Sequence, residues 1–369
     1  MDDVSVTRSR VRDDLVRIVH RQLDPNDLAR SIGHSLSRAV PFDGSCLLTV
    51  DPATLLPTGE IVENGLPPTA MVRLTEIELG EPDYNKFTTL ARAAVSAASL
   101  SDATGGDLDR SLRQREIRRP AGFADELRTV LTDATGTSGT LTLLRGARSP
   151  NFTAEDVRFL ALLSPILAEG VRRATLVSAG MDGATLGTGF LVLAADDTVE
   201  LASPVAEQWI DELSDPDRPM AQLPAAIRAV VAQTRRIAAG GRGPVAHARV
   251  HTRAGHWVVV RGSSVADDRV AVLFEMARPI ELASAIADAY GFTDREREIT
   301  ALVARGLTTT EIAWRLHLSG YTIQDHLKTI FDKTGTNSRG RLVAHLFFEH
   351  HVGQLASEDH ASETAFPAS

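Results

Sequence analysis

Tyr321, Gln324, Asp325 and Lys328 lie within the run Ser319–Gly335 at successive spacings of three, one and three residues. On a helix this spacing places a phenol, an amide, a carboxylate and an ammonium on one face. Ile323, Leu327 and Ile330 recur at four and three residues and fall on the opposite face. Such a helix keeps one dry side against its neighbours and offers both donors and acceptors on the other. The major groove of DNA is the surface this set fits, because base edges there present both kinds of group.

Elsewhere, groups able to do chemistry are few. Cys46 is the only cysteine, which excludes an intrachain disulfide and a cysteine-rich metal site. Its neighbours Ser45, Leu47 and Leu48 give it the setting of a strand residue packed as a small hydrophobe; a nucleophile or redox sensor is the rival role. His247, His251 and His256 could include a haem ligand, but exposed strand positions account for them more simply. The chain has no phosphate-binding loop, paired metal ligands or nucleophile elbow. No catalytic residue, metal or cofactor is expected, and the chain reads as a non-enzyme.

Helix punctuation sets the frame around the polar face. Thr293-Asp-Arg-Glu296 and Thr308-Thr-Thr-Glu311 are capping boxes, in which hydroxyl and carboxylate satisfy each other's backbone amides. Ile299, Leu302 and Val303 mark the first helix, which Gly306 ends with a left-handed residue. Ile312, Ala313 and Leu316 mark a short second helix, His317-Leu318 turns, and Ser319 caps the third. Gly335 stops that helix, and Ser338-Arg339 opens a fourth carrying Leu342, Val343, Leu346 and Phe347. Two short helices joined by a tight turn, the second polar on its outer side, make a helix-turn-helix.

The runs Phe292–Glu298, Gly306–Ala313, Leu316–Ser319, Thr322–His326 and Ser338-Arg339 together resemble the LuxR-type helix-turn-helix domain of bacterial transcription regulators. The resemblance implies base-edge contacts from Gln324, Asp325 and Lys328. It implies phosphate contacts from Thr308, Thr309, Ser319, Thr322 and Lys333. Gln324 stands where that family commonly has lysine, and Asp325 brings a negative charge toward phosphates. Glutamine can read adenine through two hydrogen bonds and aspartate can accept from cytosine, while both weaken the sequence-independent electrostatic attraction.

The bulk numbers agree with a multidomain regulator. At 369 residues, with 43% hydrophobic and 24% charged, the chain should hold two or three globular domains. No apolar run is long enough to span a bilayer, and the polar start Met-Asp-Asp-Val is unlike a signal peptide, so a cytoplasmic location away from membranes is expected. The net charge of −9 is unevenly placed. Residues 291–352 carry eight basic and seven acidic side chains, whereas residues 1–290 carry 31 and 38. A near-neutral DNA-binding domain predicts modest affinity unless it acts as a homodimer.

Upstream, an apolar stripe (Leu15, Ile18, Val19) predicts an N-terminal helix in 1–21. Asp24-Pro25 then starts another helix, bearing Leu28, Ile32 and Leu36. Strands are expected at Ser45–Val50 and Ile61-Val62, and helices at Ala70–Leu79 and Phe87–Leu100. A hairpin is expected from Leu127–Leu131 and Thr140–Leu144 around Gly136–Gly139. A helix capped by Thr153 should run to about Arg173. The arginines at 110, 113, 115, 118 and 119 read as a solvated loop. Residues 22–178 resemble a GAF domain, which implies a pocket for a small-molecule effector between the sheet and its covering loops. In 187–278, two strands, helices and three antiparallel strands resemble a PAS-like fold. Residues 279–290 should form a connector helix and 353–369 a disordered tail. The expected fold class is therefore multidomain: α+β GAF-like, then α+β PAS-like, then an all-α four-helix helix-turn-helix domain at 291–352. Its partners would be double-stranded DNA, a second copy of the chain and an effector of unassigned identity. The rival is a regulator whose degenerate DNA-binding domain binds another protein.

Overall fold

The computed structural model describes residues 3–176, 186–214, 223–243, 245–277, 287 and 290–347. Most of the expected connector at 279–290, the tail at 353–369 and the start of the linker at Gly180–Gly183 fall outside the described residues.

Helices α1 (Asp3–Val19) and α2 (Pro25–Leu36) open the chain. The Asp24 carboxylate caps α2 by accepting from the amides of Asn26 and Asp27, at 2.8 and 3.0 Å. The first sheet contains β1 (Gly44–Val50), β2 (Pro57–Glu63), β3 (Ala97–Ser99), β4 (Phe123–Asp133) and β5 (Gly136–Gly146), antiparallel in the order β2-β1-β5-β4-β3. Its inner face, with Leu47, Leu127, Leu131, Leu141 and Leu143, packs against α1, α2 and α6 (Ala154–Leu176). Each fully buried leucine there contributes about 1.5–3 kcal/mol relative to exposure. Strand alternation sends Arg128 and Thr140 to the other face, under α3 (Met71–Gly80) and α4 (Phe87–Leu90).

Three local expectations in this unit are corrected. The helix expected over Phe87–Leu100 stops at Leu90, and Ala97–Ser99 instead pairs with Leu127–Thr129 at the sheet edge. Edge pairing, a non-local term, outweighs the helical preference of the alanines. The hairpin turns between Asp133 and Gly136 and not across Gly136–Gly139, which is already strand. The basic segment is no solvated loop throughout: Arg113 and Arg118 are buried and paired with the buried Glu126, and Arg113 also with Asp83. Burial alone would raise the Glu126 pKa, but the charges of Arg113 and Arg118 outweigh it and lower it to about 2.

The second unit contains β6 (Gly189–Leu193), β7 (Val199–Ala202), the helices α7 (Pro204–Leu213) and α8 (Ala225–Ala238), then β8 (His247–His251), β9 (Trp257–Ser264) and β10 (Val270–Met276). A short α5 (Leu100–Ala103) belongs to the first unit. The second sheet runs β7-β6-β10-β9-β8. Counted within each sheet, both orders read second, first, fifth, fourth, third, so the two units share one topology. Two strands, two helices and three antiparallel strands follow as expected, and α7 and α8 close a core around Trp209, Val230, Val258 and Phe274.

The units are not independent. Leu56 and Leu79 of the first join the core of the second, and buried ion pairs cross between them at Asp51–Arg249 and Glu60–Arg228. No described helix is long and apolar enough to cross a membrane.

Candidate nucleic-acid interface

Four helices complete the described chain: α9 (Asp294–Ala304), α10 (Thr309–Leu316), α11 (Gly320–Thr334) and α12 (Arg339–Phe347). Both expected capping boxes are formed. The Thr293 amide donates to Glu296 Oε2 at 2.7 Å, and the Glu296 amide returns to Thr293 Oγ1 at 3.3 Å. Thr308 and Glu311 repeat the pattern with the same two distances. The amide and hydroxyl of Thr308 together hold the Glu311 carboxyl below its ordinary range. His317 takes a left-handed conformation (φ 55°) that turns the chain between α10 and α11. Ser319 Oγ accepts from the Thr322 amide at 3.0 Å, and Gly335 (φ 65°) ends α11.

The two faces of α11 fall as its spacing requires. Ile323, Leu327 and Ile330 are buried against Ile299, Leu302, Ile312 and Leu342. Tyr321, Gln324, Asp325 and Lys328 are exposed, and Tyr321 keeps 81% of its surface. No other part of the described chain covers this face. It offers an amide that both donates and accepts, a carboxylate that accepts and an ammonium that donates, a set suited to base edges.

The residues expected near phosphate divide into two groups. Ser319, Thr308 and Thr322 lie at or near the starts of α10 and α11, where the helix dipole favours an anion although the caps already take up the Thr308 and Thr322 amides. Thr309 Oγ1 accepts from Arg339 Nη2 at 2.7 Å, while Arg339 Nη1 donates to the Leu307 carbonyl at 2.7 Å. Arg339 thus ties α12 to the start of α10, a positioning role that counting charges along the sequence did not assign. Lys333 is half-buried, with Nζ 2.7 Å from both Glu296 Oε2 and the Gly291 carbonyl oxygen. Two of its three N–H groups brace α11 against α9, leaving one for an outside acceptor.

A second feature without an assignment from sequence is the seat of this bundle. Trp257 and Val259 of β9 pack into the same core as Phe292, Ile299 and Leu346, while Val258 and Val260 face the α7/α8 core. The run Trp257–Val260 is apolar at every position, which signals a strand buried on both faces. The bundle supplies the second covering. Trp314, on α10, is 82% exposed.

The other candidate chemistry is not assembled. Cys46 is half-buried on β1, opposite Val62 and Thr142. His251 stacks at a tilt on Trp257, with ring centroids 5.0 Å apart. Among the described residues no group of three histidine, cysteine or acidic side chains could hold a metal ion.

Residues 291–346 match the family model for bacterial regulatory proteins of the luxR family. This bundle is a LuxR-type helix-turn-helix domain. Over 52 residues it is 44% identical to the probable transcriptional regulatory protein SgaR of Hyphomicrobium methylovorum, which is 14% of this chain and 25% of that protein. The response regulator Rre1 of a Synechocystis strain is likewise 44% identical over 52 residues, 14% of this chain and 22% of the relative. The match therefore spans a quarter or less of these relatives and concerns the LuxR-type domain alone. Solved structures similar over longer stretches are distant. Escherichia coli SdiA is 13% identical, with 91% of this chain and 95% of that one covered at a TM-score of 0.31. The GAF domain of an Acinetobacter phosphoenolpyruvate-protein phosphotransferase is 13% identical over 47% and 96%, at 0.32.

Proposed function

We propose that this chain is a cytoplasmic, DNA-binding transcription regulator and not an enzyme. In this reading a GAF-like unit (22–178) and a PAS-like unit (187–278) control a LuxR-type domain at 291–352. The observation that carries the reading is the two-sidedness of α11 within a domain of that family: apolar anchors on one face, and an unobstructed row of Gln324, Asp325 and Lys328 on the other. These three side chains would contact bases. Thr308, Thr309, Ser319 and Thr322, together with the remaining N–H of Lys333, would contact phosphates. A homodimer would place two such helices in successive major grooves, about one helical turn apart.

Control by the upstream units is supported by their contact with the domain. Trp257 and Val259 make the β9 surface part of the domain's own core, so a change in that sheet would shift the balance between arrangements that bind DNA and arrangements that do not.

A gel-shift titration of the full chain against fragmented genomic DNA, repeated across ionic strengths, tests the proposal. Binding that weakens steeply with salt and persists for a subset of fragments supports it. A chain that shifts no fragment at low salt, while capturing another regulator, would establish the protein-interaction reading in its place.

A further inference from the structure

The outer face of the second sheet has two halves of different character. On one half, Trp257 and Val259 of β9 lie under the LuxR-type domain. The other half, formed by β7, β6 and β10, carries Leu201 at 53% exposed, Phe190 at 46%, and the part-exposed Val192, Ala271 and Leu273. The register makes these five one surface. Leu201, Val192 and Ala271 form a row across β7, β6 and β10, and Phe190 and Leu273 form the next row on the same face. Leu191, Leu193 and Val272 alternate with them and point into the α7/α8 core.

A contiguous apolar patch rimmed by polar groups marks a contact surface, and ion pairs frame this one. Arg269, just before β10, reaches Glu200 of β7 at 3.7 Å, and Arg261 of β9 reaches Glu275 of β10 at 3.6 Å. Arg269 also touches Asp267 at 3.0 Å, so the frame holds more carboxylates than guanidiniums and repels a nucleic acid or an anionic membrane. Self-complementarity points instead to a second copy. A two-fold axis laid along β6 exchanges β7 with β10, because these flank β6 on either side. It sets the bulky Leu201 of each copy over the small Ala271 of the other, since both lie in the row of Val192. Phe190 and Val192 then meet near the axis, in a dry layer about 10 Å thick between the two sheets. The same operation brings Arg269 of each copy to Glu200 of the other, so the pair made within a chain is repeated between chains.

We infer that the β7-β6-β10 half-face is the surface through which two copies of this chain pair. The inference rests on the regulator reading, which calls for two copies, and adds where they meet. The sheet order places β9, which carries the LuxR-type domain, next to β10 and two strands from β6. The contact between copies and the seat of the domain are thus neighbours on one sheet, and a shift in one is passed to the other through the strand they share a border with.

Sedimentation equilibrium of the full chain tests this, with circular dichroism of each variant as the check on folding. The parent should sediment as a dimer at micromolar concentration. Leu201→Glu should raise the dissociation constant at least about tenfold, because it buries a charge without a partner. Leu162→Glu, which alters an exposed leucine on α6, should leave it unchanged. Should Leu201→Glu fail to fold, a second pair of variants decides. Arg269→Glu chains and Glu200→Arg chains should each dimerise more weakly than the parent, since like charges then meet across the axis. Mixing the two should restore dimers, because opposite charges meet in the mixed pair. A monomeric parent, a dimer that Leu162→Glu breaks and a folded Leu201→Glu does not, or a mixture no more dimeric than its components would each overturn the assignment. A gel shift on the same preparations separates the two readings. DNA binding by a monomeric parent, or by a dimer indifferent to Leu201→Glu, overturns this surface and keeps the regulator. No DNA binding at low salt by an intact, Leu201-dependent dimer overturns the regulator and keeps the surface.

Discussion

Asp51 on the first sheet and Arg249 on the second form a buried ion pair in which one carboxylate accepts three times: from the Arg249 amide and Nε at 2.9 Å and from Nη2 at 3.0 Å. Burial alone would raise the Asp51 pKa, but the hydrogen bonds and charge of Arg249 outweigh it and hold the carboxyl below its ordinary value of 3.8. A lowered pKa in the folded state means that the contribution of Asp51 is present above 3.8 and is lost as pH falls through the lower folded value. Asp51→Asn should cost about 3–5 kcal/mol near neutrality, because it leaves a buried guanidinium uncompensated. Urea unfolding followed by tryptophan fluorescence checks this: the gap between parent and variant should narrow as pH drops below 3.8. A gap independent of pH would show that Arg249 does not hold the Asp51 carboxyl ionised in the folded chain.

Glu126 sits between Arg113 and Arg118 with none of the three exposed. Glu126→Gln should therefore destabilise the first unit by about 3–5 kcal/mol, measured as a lowered denaturant midpoint. A loss under about 1 kcal/mol, the scale of a surface pair, would mean that the cluster is solvated after all.

Gln324 and Lys328 share the exposed face of α11 but should fail differently when truncated. Gln324→Ala should cost about 1–3 kcal/mol at one base position and little elsewhere, if the amide reads that base. Lys328→Ala should weaken binding and flatten its dependence on salt, because fewer counterions are released. Binding curves of both variants at several ionic strengths separate the effects. Identical salt slopes for parent and Lys328→Ala would remove the lysine from the interface.

Lys333 braces α11 against the first capping box through Glu296. Lys333→Met should lower the melting temperature of the domain, with a loss of about 1–3 kcal/mol from the carboxylate left behind. Its effect on the salt slope should be smaller than that of Lys328→Ala. Unchanged stability combined with a strongly flattened salt slope would make Lys333 a phosphate contact first and a brace second.

The sequence was most legible where its signals were local. Thr293, Thr308 and Ser319 announce helix starts through their own neighbours, and Ile323 and Gln324 separate core from surface by periodicity alone. It was least legible where a distant partner decides. Ala97–Ser99 becomes an edge strand because β4 is there to pair with it. Arg113 and Arg118 turn inward because Glu126, on another strand, neutralises them. Nothing adjacent to Lys333 signals that Glu296 and Gly291 hold its ammonium. The docking strand left a trace, the unbroken apolar run Trp257–Val260, but that run does not say what covers its second face.

The most direct test is selection of bound fragments from a random DNA library by the full chain and by its Gln324→Ala variant, followed by sequencing. The parent should enrich paired half-sites with centres about one helical turn apart, and the variant should relax its preference at one position of each half-site. No enrichment over the input library, or the same preferred site for both chains, would contradict it.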